Sequence, residues 1–316
     1  MVYALIVRRA RGAVLGAAAA LGVAAAVAPP PGGAAVVAAG ADLLPDLDQE
    51  VPSRLEVAVS RGPDGRRSYR LGFGSGVRNV GAGPLTIEGR RAAGAGGMVA
   101  RQLIAQDGGA APRPVGGAGT LRYVRSLDHQ HWHLLAFDRY ELRRAGGSRV
   151  VVRDRKSGFC LGDRYRVTTR PVPGAAAGPT YESRCGLRRP DLRAVREGIS
   201  VGYGDFYAAH LEFQDLPLDG LRGGRYVLLH RVNADRRIRE ARYDNDAASV
   251  LLSLRWRNGV PHVGVLASCP DSARCKRPDG DAAAAEVATW ATALPRAMIR
   301  PARPAARPLL CALAGG

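Results

Sequence analysis

Asp128-His129-Gln130-His131-Trp132-His133-Leu134-Leu135 is a run in which every second residue is histidine or apolar. Side chains at i, i+2 and i+4 of a β-strand share one face, whereas a helix splays residues two apart by about 200°. The strand reading therefore places His129, His131 and His133, half of the chain's six histidines, on one face of a single strand. Same-face neighbours on a strand sit ~6.8 Å apart, which would separate His129 and His133 by ~13 Å if the strand were straight. Sharing one ion demands a bend or bulge inside the segment. Neutral imidazole suits copper, zinc, nickel or iron, and copper(II) heads the affinity order for such donors.

The alternation extends outward on both sides. Tyr69, Leu71 and Phe73 alternate with small or polar residues, and similar runs occupy 83–89, 121–125, 129–142, 149–153, 208–213, 226–232 and 250–256. Turn formers such as Asp64-Gly65, Gly146-Gly147 and Gly223-Gly224 separate them. Many short strands at this spacing predict an all-β fold, an antiparallel sandwich or barrel-like domain with long loops. The stretch 162–198, rich in Arg and Pro, reads as one such loop.

The ends differ from the middle. Arg8, Arg9 and Arg11 precede an apolar stretch, Pro29-Pro30-Pro31 closes it, and Ala39-Gly40-Ala41 resembles a cleavage site. Residues 1–41 therefore read as a signal peptide for a secreted, extracellular protein, the apolar stretch being short for a membrane span. Residues 42–277 form the β domain, and 278–316 are an Ala/Pro/Arg-rich tail expected to be poorly ordered. In an exported chain Cys269 and Cys275 are placed to close a small loop, and Cys160 and Cys185 to clamp the long one, with Cys311 left over.

The net charge of +18 comes from basic residues scattered without a nucleic-acid motif, so the reading is no specific nucleic acid and a surface attracted to anionic wall or matrix polymer. Of 46 basic residues only Lys156 and Lys276 are lysine. A GC-rich, bacterial genome explains the arginine bias. A lysine that survives it is one whose primary amine has chemistry that Arg cannot perform.

The histidine segment, continuing through Leu142, resembles the copper-binding stretch of the lysyl oxidase family. Two further segments match in order. Lys156-Ser157-Gly158-Phe159-Cys160-Leu161 is similar to the stretch carrying the family's cofactor lysine, and Asp205-Phe206-Tyr207-Ala208-Ala209, after Gly198-Ile199-Ser200, to that carrying its tyrosine. Gly224–Leu228 and Tyr243-Asp244-Asn245-Asp246 parallel the end of that domain.

The resemblance implies a copper-dependent amine oxidase. Cu2+ sits on His129, His131 and His133, and a lysine tyrosylquinone is built from Lys156 and Tyr207. A primary amine, peptidyl lysine of extracellular proteins included, becomes an aldehyde with release of ammonia, and O2 becomes H2O2. A phenol near a redox metal is readily oxidised, and a deprotonated lysine is the natural nucleophile to capture the ring. Asp205, two residues before Tyr207 and on its face if the strand is regular, is the candidate base. Animal members carry cysteines where Asp128, Tyr203 and Phe213 stand, and a further histidine where Ser126 stands. These departures touch the disulfide framework and leave the Lys, Tyr and histidine set in place.

Two rivals remain. A cupin-type dioxygenase needs a Glu soon after the histidines, but Glu141 is eight residues past His133, and His210, His230 and His262 are distant. A non-catalytic copper-binding protein would keep the histidines without building a quinone.

Overall fold

Tyr69, Leu71, Phe73 and Val77 alternate along a thirteen-residue strand and are all buried, the outcome their spacing dictates. The computed structural model describes residues 40–126, 129–153, 158–209, 211 and 214–276, all in one structural unit. Residues 1–39 of the expected signal peptide, residue 277 and the expected tail 278–316, with Cys311, lie outside the described residues.

In chain order the strands begin with β1 (Asp42–Leu43), β2 (Leu47–Gln49), β3 (Ser53–Arg61), β4 (Arg67–Asn79), β5 (Leu85–Arg90) and β6 (Gly97–Gln106). They continue as β7 (Arg113–Tyr123), β8 (Trp132–Leu135), β9 (Asp138–Arg144), β10 (Val150–Arg153), β11 (Gly158–Phe159) and β12 (Tyr165–Arg166). The last are β13 (Ala194–Ile199), β14 (Tyr203–Tyr207), β15 (Asp215–Pro217), β16 (Gly224–Val232), β17 (Ala247–Arg257) and β18 (Val260–Cys269). One 3-10 turn, Asp107–Gly109, is the helical element among the described residues.

These strands form three antiparallel sheets. The first runs β11-β8-β7-β6-β5-β13, with β1 on β6; the second runs β10-β9-β16-β17-β18. The third runs β12-β14-β4-β15, with β2 and β3 also on β4. The fold is all-β as the sequence predicts, but the sheets stay open and none closes into a barrel. One core receives residues from all three, with Trp132, Phe159, Phe73, Tyr140 and Tyr226 its largest members. A smaller cluster around Val227, Leu251 and Ala267 is closed by Cys275, whose bridge to Cys269 is formed.

Three expectations of the strand pattern are corrected. The run expected at 208–213 is not a strand where it is described: β14 ends at Tyr207, and Leu211 N donates to Ala208 O at 3.1 Å in a turn. The run 129–142 is two strands, because Ala136 takes φ 58 and breaks β8 from β9. The segment 162–198 contains β12 and the start of β13 as well as loop. Its anchor is Asp163, whose carboxylate accepts from Thr180 N at 2.7 Å, Tyr181 N at 3.0 Å, and both Ser200 N and Oγ at 2.7 Å. A carboxylate with that many donors pins a long loop at one point.

Candidate active site

The histidine segment ends the hairpin of β7 and β8. Val124 N donates to His131 O at 2.9 Å and Ser126 N to His129 O at 2.9 Å, while Ser126 Oγ accepts His129 N at 3.1 Å. On the other edge Cys185 O accepts Trp132 N at 2.9 Å and Gln130 O accepts Arg188 N at 2.6 Å. Backbone pairing on both edges holds residues 129–133 extended, yet the assigned strand starts only at Trp132. The expectation of a single strand carrying all three histidines is thus replaced by an extended lead-in with His129 and His131 and a strand with His133.

That irregularity brings the rings together. Centroids of His129 and His131 lie 5.6 Å apart, those of His129 and His133 5.5 Å, and those of His131 and His133 4.7 Å. The rings of His129 and His133, four residues apart in the chain, thus converge to 5.5 Å, close enough to share one ion. His131 Nε2 and His133 Nε2 are 2.8 Å apart. Two nitrogens each ~2.0 Å from one ion, the usual imidazole bond, span ~2.8 Å when they bond at about 90°. Tetragonal copper(II) wants that angle. His129 and His133 are buried and His131 is half-buried, so an ion among them would be largely shielded from solvent.

Across β11 lies the tyrosine. Gly158 and Phe159 pair with Leu135 and Leu134 of β8. A Cβ on Gly158 would lie 2.6 Å from Leu134 O and 3.0 Å from His133 Cβ, so only glycine lets β11 approach this closely. The next two residues face β14. The Phe159 ring meets the Tyr207 ring edge-on, centroids 4.8 Å apart, and Cys160 O accepts the Tyr207 hydroxyl at 2.6 Å. Cys160 is bridged to Cys185, as its spacing predicts. Lys156, with Asp128, His210 and Phe213, lies outside the described residues.

Asp205 and Tyr207 do share a face of β14, because Arg164 meets both. Its Nε donates to Asp205 Oδ1 at 2.6 Å, and its guanidinium carbon is 5.2 Å from the Tyr207 ring centroid. Gly162 N reaches Asp205 Oδ2 at 3.3 Å. Burial pushes Asp205 up to about 6, with the Arg164 charge pulling the other way. Burial and then the Asp205 charge push the Tyr207 phenol well above its ordinary value, again against Arg164.

Sequence reasoning missed Arg164 and Glu197. One more arginine among 44 carries no signal, although it stands next to the anchoring Asp163. Glu197, on β13, is 1% exposed and lies within 4.8 Å of both sulfurs of the Cys160–Cys185 bridge. Backbone of Leu161 and Leu134 faces it, but neither carboxyl oxygen makes a well-formed hydrogen bond, and burial drives its pKa far up. With both sulfurs committed to a disulfide, this trio cannot serve as a metal site.

The cupin rival finds no support. His230 is fully buried against Asp138, Ser75 and Gln49, and Glu141 is paired with Arg143 and Arg153. His262 is exposed on β18.

Comparison with known proteins places the chain among relatives. Protein-lysine 6-oxidase of Rattus norvegicus is 29% identical over 119 residues, 37% of this chain and 25% of that protein. The protein of the same name from Gallus gallus gives 29% over 119 residues, covering 37% and 24%, and that from Sus scrofa 29% over 119 residues, covering 37% and 41%. The match thus spans about a quarter of the rat and chicken proteins. The sequence model of the lysyl oxidase family matches residues 101–260, half of the chain, and takes in the histidine segment, Cys160 and Tyr207. This chain belongs to the lysyl oxidase family.

Proposed function

We propose that the chain is an exported copper-dependent amine oxidase that oxidises primary amines, peptidyl lysine among them, with a quinone made from its own Lys156 and Tyr207. The observation that carries the reading is β11, whose Gly158 lies against His133 and whose Phe159, with the following Cys160, partners Tyr207. His129, His131 and His133 would hold copper, which when bound supplies, with O2, the oxidising power for the Tyr207 ring. Lys156 stands two residues before Gly158 in the chain.

The chain's own groups do the rest. Phe159 and the Cys160 carbonyl fix the tilt of the Tyr207 ring and the direction of its hydroxyl. Asp205 is the base that takes the α-proton of the amine: at about 6 it is ionised at neutral pH and still basic enough to accept a proton. The balance is one amine, one O2 and one water giving one aldehyde, one ammonia and one H2O2. Two disulfides and the N-terminal segment favour export.

The deciding experiment is mass spectrometry of the full chain after copper and air. A Lys156–Tyr207 cross-linked peptide is expected, with a visible quinone band that phenylhydrazine titrates, both absent in Lys156→Arg and Tyr207→Phe. Unmodified Lys156 and Tyr207 peptides from copper-loaded protein would leave a metal binder and overturn the oxidase reading.

A further inference from the structure

Arg164 sits where two jobs meet, and neither belongs to the reading above. Its Nε holds Asp205 at 2.6 Å while its guanidinium carbon stands 5.2 Å from the Tyr207 ring centroid. The preceding residue, Asp163, is fixed by four hydrogen bonds, so the backbone delivers this side chain to one place. Asp205 and Tyr207 are both buried, and among the described residues the ionisable groups Asp205, Arg164 and Glu197 act on the phenol. Two of these are carboxyls and disfavour a negative ring oxygen. The Cys160 carbonyl, which accepts the phenol proton, also turns its negative end toward that oxygen.

A buried phenol that must lose its proton therefore needs a counter-ion, since an isolated buried anion is costly. Oxidation of a phenol is easier from the phenolate. In that step the Oη–H bond breaks, the proton leaves to solvent, and the electron pair stays on oxygen. Guanidinium suits the place because it stays charged at any pH, is planar, and can offer one edge to a carboxylate while its face or another edge meets a ring. We propose that Arg164 is a catalytic residue of this centre, the cation that replaces the Tyr207 phenol proton and shares its charge with Asp205. The assignment rests on the oxidase reading for its purpose, but its electrostatics can be tested apart from it. When Asp205 takes up a proton its charge vanishes, and Arg164 is left to face the ring oxygen alone. One cation thus serves the carboxylate and the ring in turn.

The test uses the full chain, metal-free, with 2,3-difluorotyrosine at position 207, a near-isosteric phenol more acidic than tyrosine. Its 19F shift is followed against pH with Arg164 present, in Arg164→Gln and in Arg164→Lys. Arg164→Gln in an Asp205→Asn background guards against misfolding caused by an unpaired buried carboxylate. Loss of the guanidinium is expected to raise the apparent ionisation by at least about one pH unit, ~10-fold in acid dissociation, with partial recovery in Arg164→Lys. Separately, the copper- and air-dependent quinone band of the ordinary chain should grow at least ~10-fold more slowly at neutral pH in Arg164→Gln, and recover as pH rises. An unshifted 19F titration in both backgrounds overturns the proposal, as does quinone growth equal in rate and pH profile with and without Arg164. A shifted titration in a chain that never makes the quinone sustains the electrostatic role of Arg164 and removes the oxidase reading.

Discussion

Cys160 accepts the hydroxyl of Tyr207 at its carbonyl, 2.6 Å away, and through its sulfur it is bonded to Cys185, whose carbonyl accepts Trp132 N inside the histidine segment. One disulfide therefore connects the tyrosine half of the proposed centre to the histidine half.

Removing that bridge should affect both stability and chemistry. Cys160→Ala with Cys185→Ala is expected to cost ~2–5 kcal/mol in urea unfolding. In the fraction that still folds, the quinone yield should fall further than metal content does. Equal loss of both would mean the bridge only staples the loop.

Each histidine of the cluster should be needed for metal. Changing a residue that merely orients a ligand lowers metal affinity ~10–100-fold, so His129→Ala, His131→Ala or His133→Ala should exceed that. Competition against a copper chelator measures it. His262→Ala, on exposed β18, is the control and should bind as the parent does.

The acid limb of amine oxidation should follow Asp205. A base works when deprotonated, so the rate is expected to rise with pH through about 6 and level off above it. Asp205→Asn should abolish turnover while copper binding persists. A limb that stays at the same pH when Arg164 is changed would point to another base.

Glu197 should make the fold pH-sensitive. Its folded pKa lies above the unfolded value, so the folded chain holds a proton that the unfolded chain has released. Stability from this group is fully present below the unfolded value, near 4.5, and drains away as pH rises above it. Glu197→Gln keeps the shape without the charge. It should flatten that slope and raise stability at pH 8 by ~1–3 kcal/mol, read by chemical denaturation at several pH values.

Gly158→Ala should disturb the metal site from a distance. The added Cβ meets Leu134 O and His133 Cβ, so β11 must move off β8. A cost of ~1–3 kcal/mol and weaker copper retention are expected. A stable variant with unaltered copper affinity would show that β11 does not brace His133.

Much of this was legible in the chain. Alternation at Tyr69, Leu71 and Phe73 marked a strand and its buried face, because a two-residue period has one geometric meaning, while the glycine-rich stretch that followed read as a break and instead continues the strand to Asn79. Three alternating histidines were legible as candidate ligands of one ion, and their rings lie together in the fold, 5.5 Å between the outer two. Cysteine spacing gave both bridges. The break at Ala136 escaped notice because alanine at positive φ has no sequence signature. Arg164 escaped because its role depends on residues 41 and 43 positions away.

Sequence by itself determined most of the strands, their inward faces and the family, since each rests on local period or on ordered motifs. Only the tertiary structure decided which distant groups meet: Arg164 with Asp205 and Tyr207, Glu197 with the Cys160–Cys185 bridge, and Tyr207 with Cys160. The reason is that period is a property of the backbone, whereas burial, charge and contact across sheets are set by how the strands stack, and no stretch of chain carries that information alone.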